Sequence, residues 1–402
     1  MKIYNKSAWK KVKLGDICDL RNGVAIKSED YVIISNTLNC RMSNIRPDGT
    51  FDILYNAKYL PDNFLEKYKN YLLKDGDLVI AMTDMAGDPK ILGVPTVVKS
   101  DGFNIIQNQR VGKLELLTKN IDENYLKLAL QSKKVKNYFK KFSAGGVQLN
   151  LSKKEILNAP IILPTIQEQK ELVSLFKIIE NFIHLRKEEL VNLHFLNKSL
   201  FTRMFGDIKT NDKNWEVKKI EDCILNNVKN INLKEKGEIA YIDISSINNK
   251  ENKILSYKKY NSISEAPSRA KKILNENDIL ISTVRPALKN IAIFSEKVLE
   301  LTIASTGFCI LRAKDTINNR YIFEIIKSDN FTETLIKKQI GANYPAISDR
   351  DIKSIKIPLP PIELQNKFAE RIEKIEKLSF EIEKSIKEAE NLYNSLISKY
   401  FD

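Results

Sequence analysis

The chain has 402 residues, 43% of them hydrophobic and 8% aromatic, so it can build real cores and is not a disordered basic tail. Its formal net charge of +14 points toward a polyanionic partner, although lysine-rich usage alone would raise it. No run approaches the roughly 18 unbroken apolar residues of a membrane span, the start MKIYNKSAWKKVK lacks a signal-peptide core, and the four cysteines (Cys18, Cys40, Cys223, Cys309) contain no CxxC pair. These features predict a reduced, cytoplasmic protein with no disulfide framework and no structural zinc.

In chain order, apolar runs bounded by turn residues predict strands over 31–35, 78–83, 94–98 and 111–117, then a helix over 123–139. Ser152-x-x-Glu155 predicts a short capped helix, and Thr165-x-x-Glu168 opens a long one. The pattern then starts again, with strands over 240–244, 279–283, 291–294 and 307–311 and a helix over 320–338. A short helix at Ser348-x-x-Asp351 follows, and a second long helix begins behind Pro360-Pro361.

The chain is a tandem repeat. From Asn124 and Arg320 onward an offset of 196 holds without a gap, matching Ser132 to Ser328, Gly145 to Gly341, Pro164 to Pro360, Gln169 to Gln365 and Phe205 to Phe401. Upstream the match is looser: DGDLVIAMT resembles NENDILIST at an offset near 201. Apolar positions shared by both long helices fall at 172/368, 176/372, 179/375, 182/378, 190/386, 193/389, 196/392 and 200/396, a spacing near 3.5. The predicted seam residues are Leu172, Phe176, Ile179, Phe182 and Leu193 on one helix and Phe368, Ile372, Ile375, Leu378 and Leu392 on the other. The expected fold is α+β: two repeated sheet-rich globular domains (1–163 and 207–359) joined by two long helices (164–206 and 360–402) packed as an antiparallel coiled coil, pseudo-two-fold overall. A helix of 41 residues would be about 60 Å long.

Catalytic motifs are missing. There is no GxxxxGK[ST] phosphate loop and no Asn/Asp-Pro-Pro-aromatic tetrapeptide. The two histidines, His184 and His194, stand ten residues apart and about 80° out of register on one helix, so they do not share a face. What repeats instead is polar equipment at strand ends. Arg and Lys forks suit guanine edges and phosphates, and Asn and Gln suit adenine edges. The candidate DNA-contacting residues are Thr83, Gln107, Asn108, Gln109, Arg110 and Gln148 in the first copy. In the second they are Thr283, Arg285, Lys289, Asn290, Ser305, Thr306, Asn343 and Tyr344, with Arg21, Asn22, Lys27, Arg41 and Arg46 as weaker additions in the first. Each could equally be a solvated turn residue; the repetition on a basic chain favours base readout.

The segments PLPPIELQNKF, its copy LPTIQEQKEL, NENDILISTVRP, ASTGFCILR and GANYPAISDRDIKSIKIPLP resemble the specificity subunit of a Type I restriction–modification system, nearly end to end. The first copy departs from the second at Met82-Thr83-Asp84 and 107–110. The resemblance implies a non-catalytic subunit whose two target-recognition domains each read one half of a split double-stranded DNA site, with the helices as the ruler between them. It implies two adenine-methyltransferase subunits docked on the helices, and two motor-nuclease restriction subunits joining for cleavage. This chain would bind no cofactor itself: S-adenosylmethionine, and ATP and Mg for restriction, would sit on the partners. A standalone two-headed DNA-binding regulator and a coiled-coil scaffold without DNA binding are the alternatives.

Overall fold

The computed structural model describes residues 6–232, 236–295, 298–299, 301–341 and 345–402. They divide into two compact units, 1–187 with 384–402, and 188–383.

In the first unit Lys10–Lys13 pairs antiparallel with Pro160–Leu163. A second sheet runs in the order Cys18–Asn22, Val111–Leu116, Leu78–Ala81, Pro95–Val97, all antiparallel. A third runs Tyr59–Leu60, Thr37–Cys40, Asn104–Gln107, Leu72–Leu73, and its two central strands are parallel.

The second unit repeats this plan. Glu216–Lys219 pairs with Lys356–Leu359. Ile291–Phe294, Asp278–Ser282 and Phe308–Leu311 form the antiparallel sheet. Lys258–Ser262, Lys236–Ile242, Leu301–Ser305 and Ala270–Ile273 form the sheet with a parallel central pair. The repeat therefore extends into the parts where the sequences have drifted.

Three sequence expectations are corrected. The β-branched run 31–35 is not a strand: Ile33 and Ile34 are 96% and 78% exposed. Ser35 Oγ donates to the carbonyls of Thr37 and Leu60, bending the chain before the strand Thr37–Cys40 begins. In the second copy the strand ends at Ile242, because the Asp243 carboxylate accepts from the Ser245 amide and starts a short 3-10 turn. Each helix expected as one is two. Ser132 divides Glu123–Leu130 from Lys133–Phe142, and Ser328 divides Asn319–Lys327 from Asp329–Lys338, each hydroxyl capping the second helix with an extended backbone that no helix interior tolerates.

The ungapped part of the repeat has a structural job. Tyr125 and Tyr321, both buried, donate from their hydroxyls to the carbonyls of Ile162 and Pro358. Gln169 and Gln365, fully buried at the start of the long helices, accept from the amides of Asp122 and Asn318 and donate to the carbonyls of Pro164 and Pro360. All of these partners match at the same offset, so one invariant latch holds each long helix to its globular part.

The long helices are Ile166–Phe205 and Ile362–Phe401. In the first unit their pairing is antiparallel: Phe176 meets Phe401 at 6.0 Å and Tyr393 at 5.0 Å between ring centroids, and Lys187 pairs with Glu390 at 3.0 Å. In the second unit Phe201 and Phe205 pack on Phe368 at 5.4 and 5.2 Å. Leu172, Phe176, Ile179, Phe368 and Ile372 are buried, and Leu193 and Ile375 are half-buried.

Phe182, Leu378 and Leu392 are exposed, against expectation. The least exposed positions run 172, 176, 179, 183, 186, 190, 193, 197, 200, 204 and 368, 372, 375, 379, 382, 386, 389, 393, 396, 400, which keeps the 3.5 spacing. It passes through Ile183, Ser379 and Tyr393 instead. Arg186, Asn197 and Ser379 sit on the stripe, and their polarity hid its course from a hydropathy reading.

Each unit's core is completed by a helix end belonging to the other repeat. Leu396, Ile397, Tyr400 and Phe401 join Trp9, Leu126 and Phe176 in the first core, while Phe205, with Leu200 and Phe201, joins Tyr321 and Phe368 in the second.

Candidate nucleic-acid interface

In each unit three segments converge beyond the end of the central strand of the antiparallel sheet. In the first, Met82 N donates to the Arg110 carbonyl on one side, and Met82 O accepts from Leu151 N on the other. In the second, Thr283 N donates to the Gly307 carbonyl and Thr283 O accepts from Ile347 N. Met82 and Thr283 are therefore equivalent. The edge consists of a turn (107–110 or 304–307), the segment that follows the strand (83–85 or 284–286) and a loop, 144–150 in the first unit, of which the second unit's described counterparts are 340–341 and 345–346. The loops carry matching reciprocal bonds, Ala144 with Asn150 and Ile340 with Ala346.

The turns share one device. Asn108 Oδ1 accepts from Arg110 N, and Ser305 Oγ accepts from Gly307 N, so these side chains shape the turn instead of presenting themselves. Both are buried, as are Gln107 and Asn290, which corrects their expected place on the surface. Gln107 uses its amide fully, accepting from Arg21 Nε and donating to the carbonyls of Arg21 and Val111. Arg21 is held by this bond and by the Leu72 carbonyl, and the Arg46 guanidinium lies 3.6 Å over the Tyr55 ring. Gly23, for which the sequence carries no signal, lets the chain press on the turn: a Cβ there would lie 2.2 Å from the Asn108 carbonyl oxygen.

What reaches solvent is narrower. Gln109, Arg110 and Thr306 stand exposed at the turn tips, and among the described residues Arg110 makes no ion pair. Thr83 is buried and donates to Asn150 Oδ1, while Thr283 donates to the Gly307 carbonyl. Gln148 is half-buried, and Asn22 and Lys27 are exposed on the chain around Gly23. Asn343 and Tyr344 lie outside the described residues.

Arg285 is exposed and left-handed at φ +49°, and Lys289 at φ +51° closes the same short turn. Two such non-glycine residues cost about 1–2 kcal/mol each, and the pair is held by Arg285 N donating to the Pro345 carbonyl and by Lys289 Nζ bridging to Asp329 and the Lys327 carbonyl. Lys289 holds the Asp329 carboxyl below the usual aspartate range. Its ammonium is engaged within the fold, not offered outward as expected. At the position of Arg285 the first unit has Asp84, buried, accepting from the amides of Met85, Ile91 and Leu92.

No cluster of three metal-ligating side chains occurs among the described residues. All four cysteines are buried, and burial pushes the thiols of Cys18, Cys40 and Cys309 up to about 12, far from reactive thiolates. No described helix is long and apolar enough to cross a membrane.

The sequence profile of the Type I restriction modification DNA specificity domain matches residues 6–194 and again 212–390. The chain belongs to that family. Among specificity-subunit relatives, the Type I restriction enzyme MjaVIII specificity subunit of Methanocaldococcus jannaschii is 27% identical over 212 residues, covering 52% of this chain and 48% of the relative. A putative MjaX specificity subunit of the same organism is 24% identical, covering 96% of this chain and 94% of its own length. The fold matches a Type I restriction–modification S subunit from M. genitalium with a TM-score of 0.54 at 14% identity, covering 100% of this chain and 98% of that one. A structure described for complex assembly and conformational transition of the type I R-M system matches at 0.58 and 16%, covering 100% and 99%. In this specificity-domain family the two profile matches coincide with the two copies read from the sequence, so the repeat is the family's own domain duplicated.

Proposed function

We propose that this chain is the sequence-reading, non-catalytic subunit of a Type I restriction–modification complex, binding a split double-stranded DNA site with one half-site for each unit. The observation that carries the reading is the duplicated edge. Two equivalent three-segment frameworks present different side chains, Gln109, Arg110 and Gln148 on one and Arg285 and Thr306 on the other. A shared scaffold with divergent tips is what reading two unlike half-sites requires. Lysines and arginines of a chain at +14 supply phosphate affinity that weakens with salt.

Two adenine-methyltransferase subunits dock along the long helices, where Ile178, Leu185 and Phe195 remain exposed, and two restriction subunits join for cleavage. S-adenosylmethionine, and ATP and Mg for restriction, are held by those partners, and the complex works in the cytoplasm. Mapping genomic DNA methylation with this gene intact and deleted tests the reading. A bipartite adenine-methylated motif vanishes on deletion; methylation unchanged by deletion overturns the proposal and favours a standalone regulator or a scaffold.

A further inference from the structure

On the first unit's edge, Thr83–Met85 and Gln148–Asn150 form a two-stranded antiparallel ribbon in which Met85 stands opposite Gln148 and Thr83 opposite Asn150. Paired residues share a face, so Thr83, Met85, Gln148 and Asn150 lie on one side and Asp84 and Leu149 on the other. The inner side is anchored: Leu149 packs on the unit's core, and Asp84 is buried among backbone amides. On the outer side the base of the ribbon is bonded within itself, through Thr83 to Asn150 and Asn150 to the Gln148 carbonyl. The tip is not. Met85 is 54% exposed, and the Gln148 side-chain amide makes no hydrogen bond among the described residues.

An amide beside an apolar side chain, about 5 Å apart, complements an A·T pair seen from the major groove, where adenine offers N7 and N6 and thymine offers its 5-methyl group. The major groove is wide enough for a two-stranded ribbon. We propose that this ribbon enters the major groove, Gln148 bonding adenine N6 and N7 and Met85 covering a thymine methyl, so that the first unit's half-site contains an A·T pair read through that methyl. The inference rests on the DNA-recognition reading above. The second unit differs: by the equivalence of Met82 and Thr283, the counterpart of Met85 is Pro286, and among the described residues one bridge, Val284 to Ala346, joins the two segments. Sensitivity to the methyl therefore belongs to one half-site.

The test uses the full-length chain, alone and with its methyltransferase partner, to enrich sequences from random duplexes, and then resynthesises the enriched site with deoxyuridine replacing thymidine in one half at a time. The expected result is about four-fold weaker binding with uracil in the first unit's half-site, the worth of one buried methyl group, and no change with uracil in the other. Met85→Ala erases the difference and Met85→Leu keeps it, while affinity for the second half-site certifies the fold of both variants. Equal affinity for thymine and uracil, a first half-site without thymine, or a difference that survives Met85→Ala overturns the inference and leaves DNA recognition standing. Enrichment of no sequence overturns both.

Discussion

The two units share the main-chain bonds at the base of the edge and differ where side chains meet solvent. Met82 and Thr283 bridge the same pair of neighbouring segments, and Asn108 and Ser305 shape the same turn with different chemistry. Just beyond, Asp84 turns inward onto amides while Arg285 faces out in a left-handed backbone conformation. A framework made of main-chain bonds tolerates almost any side chain, so recognition can change without refolding the domain. That is a physical basis for a repeat whose second half stays at one offset while its first half drifts.

The sharpest way to break this comparison is to damage one unit's core. Phe401→Ala removes a buried ring from the first unit and Phe205→Ala its counterpart from the second, each expected to cost about 3–5 kcal/mol in its own unit. Hydrogen exchange should then report local loss confined to one unit; loss in both would mean the units are not separately stabilised. Gly23→Ala comes next, since its Cβ would collide with the Asn108 carbonyl and push the first turn out of place. Binding to duplexes carrying only the first half-site should fall more than about ten-fold, at least the worth of one good base contact.

Arg285→Ala is the corresponding change on the second unit. It should weaken binding by about 1–3 kcal/mol at the second half-site alone, measured by competition between half-site mutants. An equal loss at both half-sites, or no loss, would remove Arg285 from base readout. The smallest effect concerns Lys289 and Asp329. The Asp329 pKa is lowered by this lysine, so the pair's contribution is present above the ordinary aspartate range and disappears as pH falls through the depressed folded value. The carboxylate is largely exposed, so Asp329→Asn should cost no more than about 1 kcal/mol at neutral pH and flatten that acid-side dependence in the second unit's unfolding curve.

Much of the architecture was legible because it depends on local pattern. Capping residues, the 3.5-spaced apolar positions and the 196-residue offset identified duplicated α+β domains and two long helices. The candidate edge was legible only in outline. Gln107, Asn108, Asn290 and Ser305 look like surface readers in a one-dimensional string because amides and hydroxyls are polar wherever they lie; in the fold they are buried, and Gln107, Asn108 and Ser305 bond to main-chain groups. Gly23 gave no signal, since a glycine's use is known only when the segment it must approach is known.

By itself the sequence determined the duplication, the helical rods, the absence of catalytic motifs and the family resemblance, all of which follow from residues near one another or repeated at a constant spacing. Only the tertiary structure decided which polar side chains face outward, which residue of each helix turn sits on the buried stripe, and that each core is completed by the other repeat's helix end. Those outcomes depend on contacts between residues tens to hundreds of positions apart, and burial, unlike polarity, is a property of the contact and not of the residue.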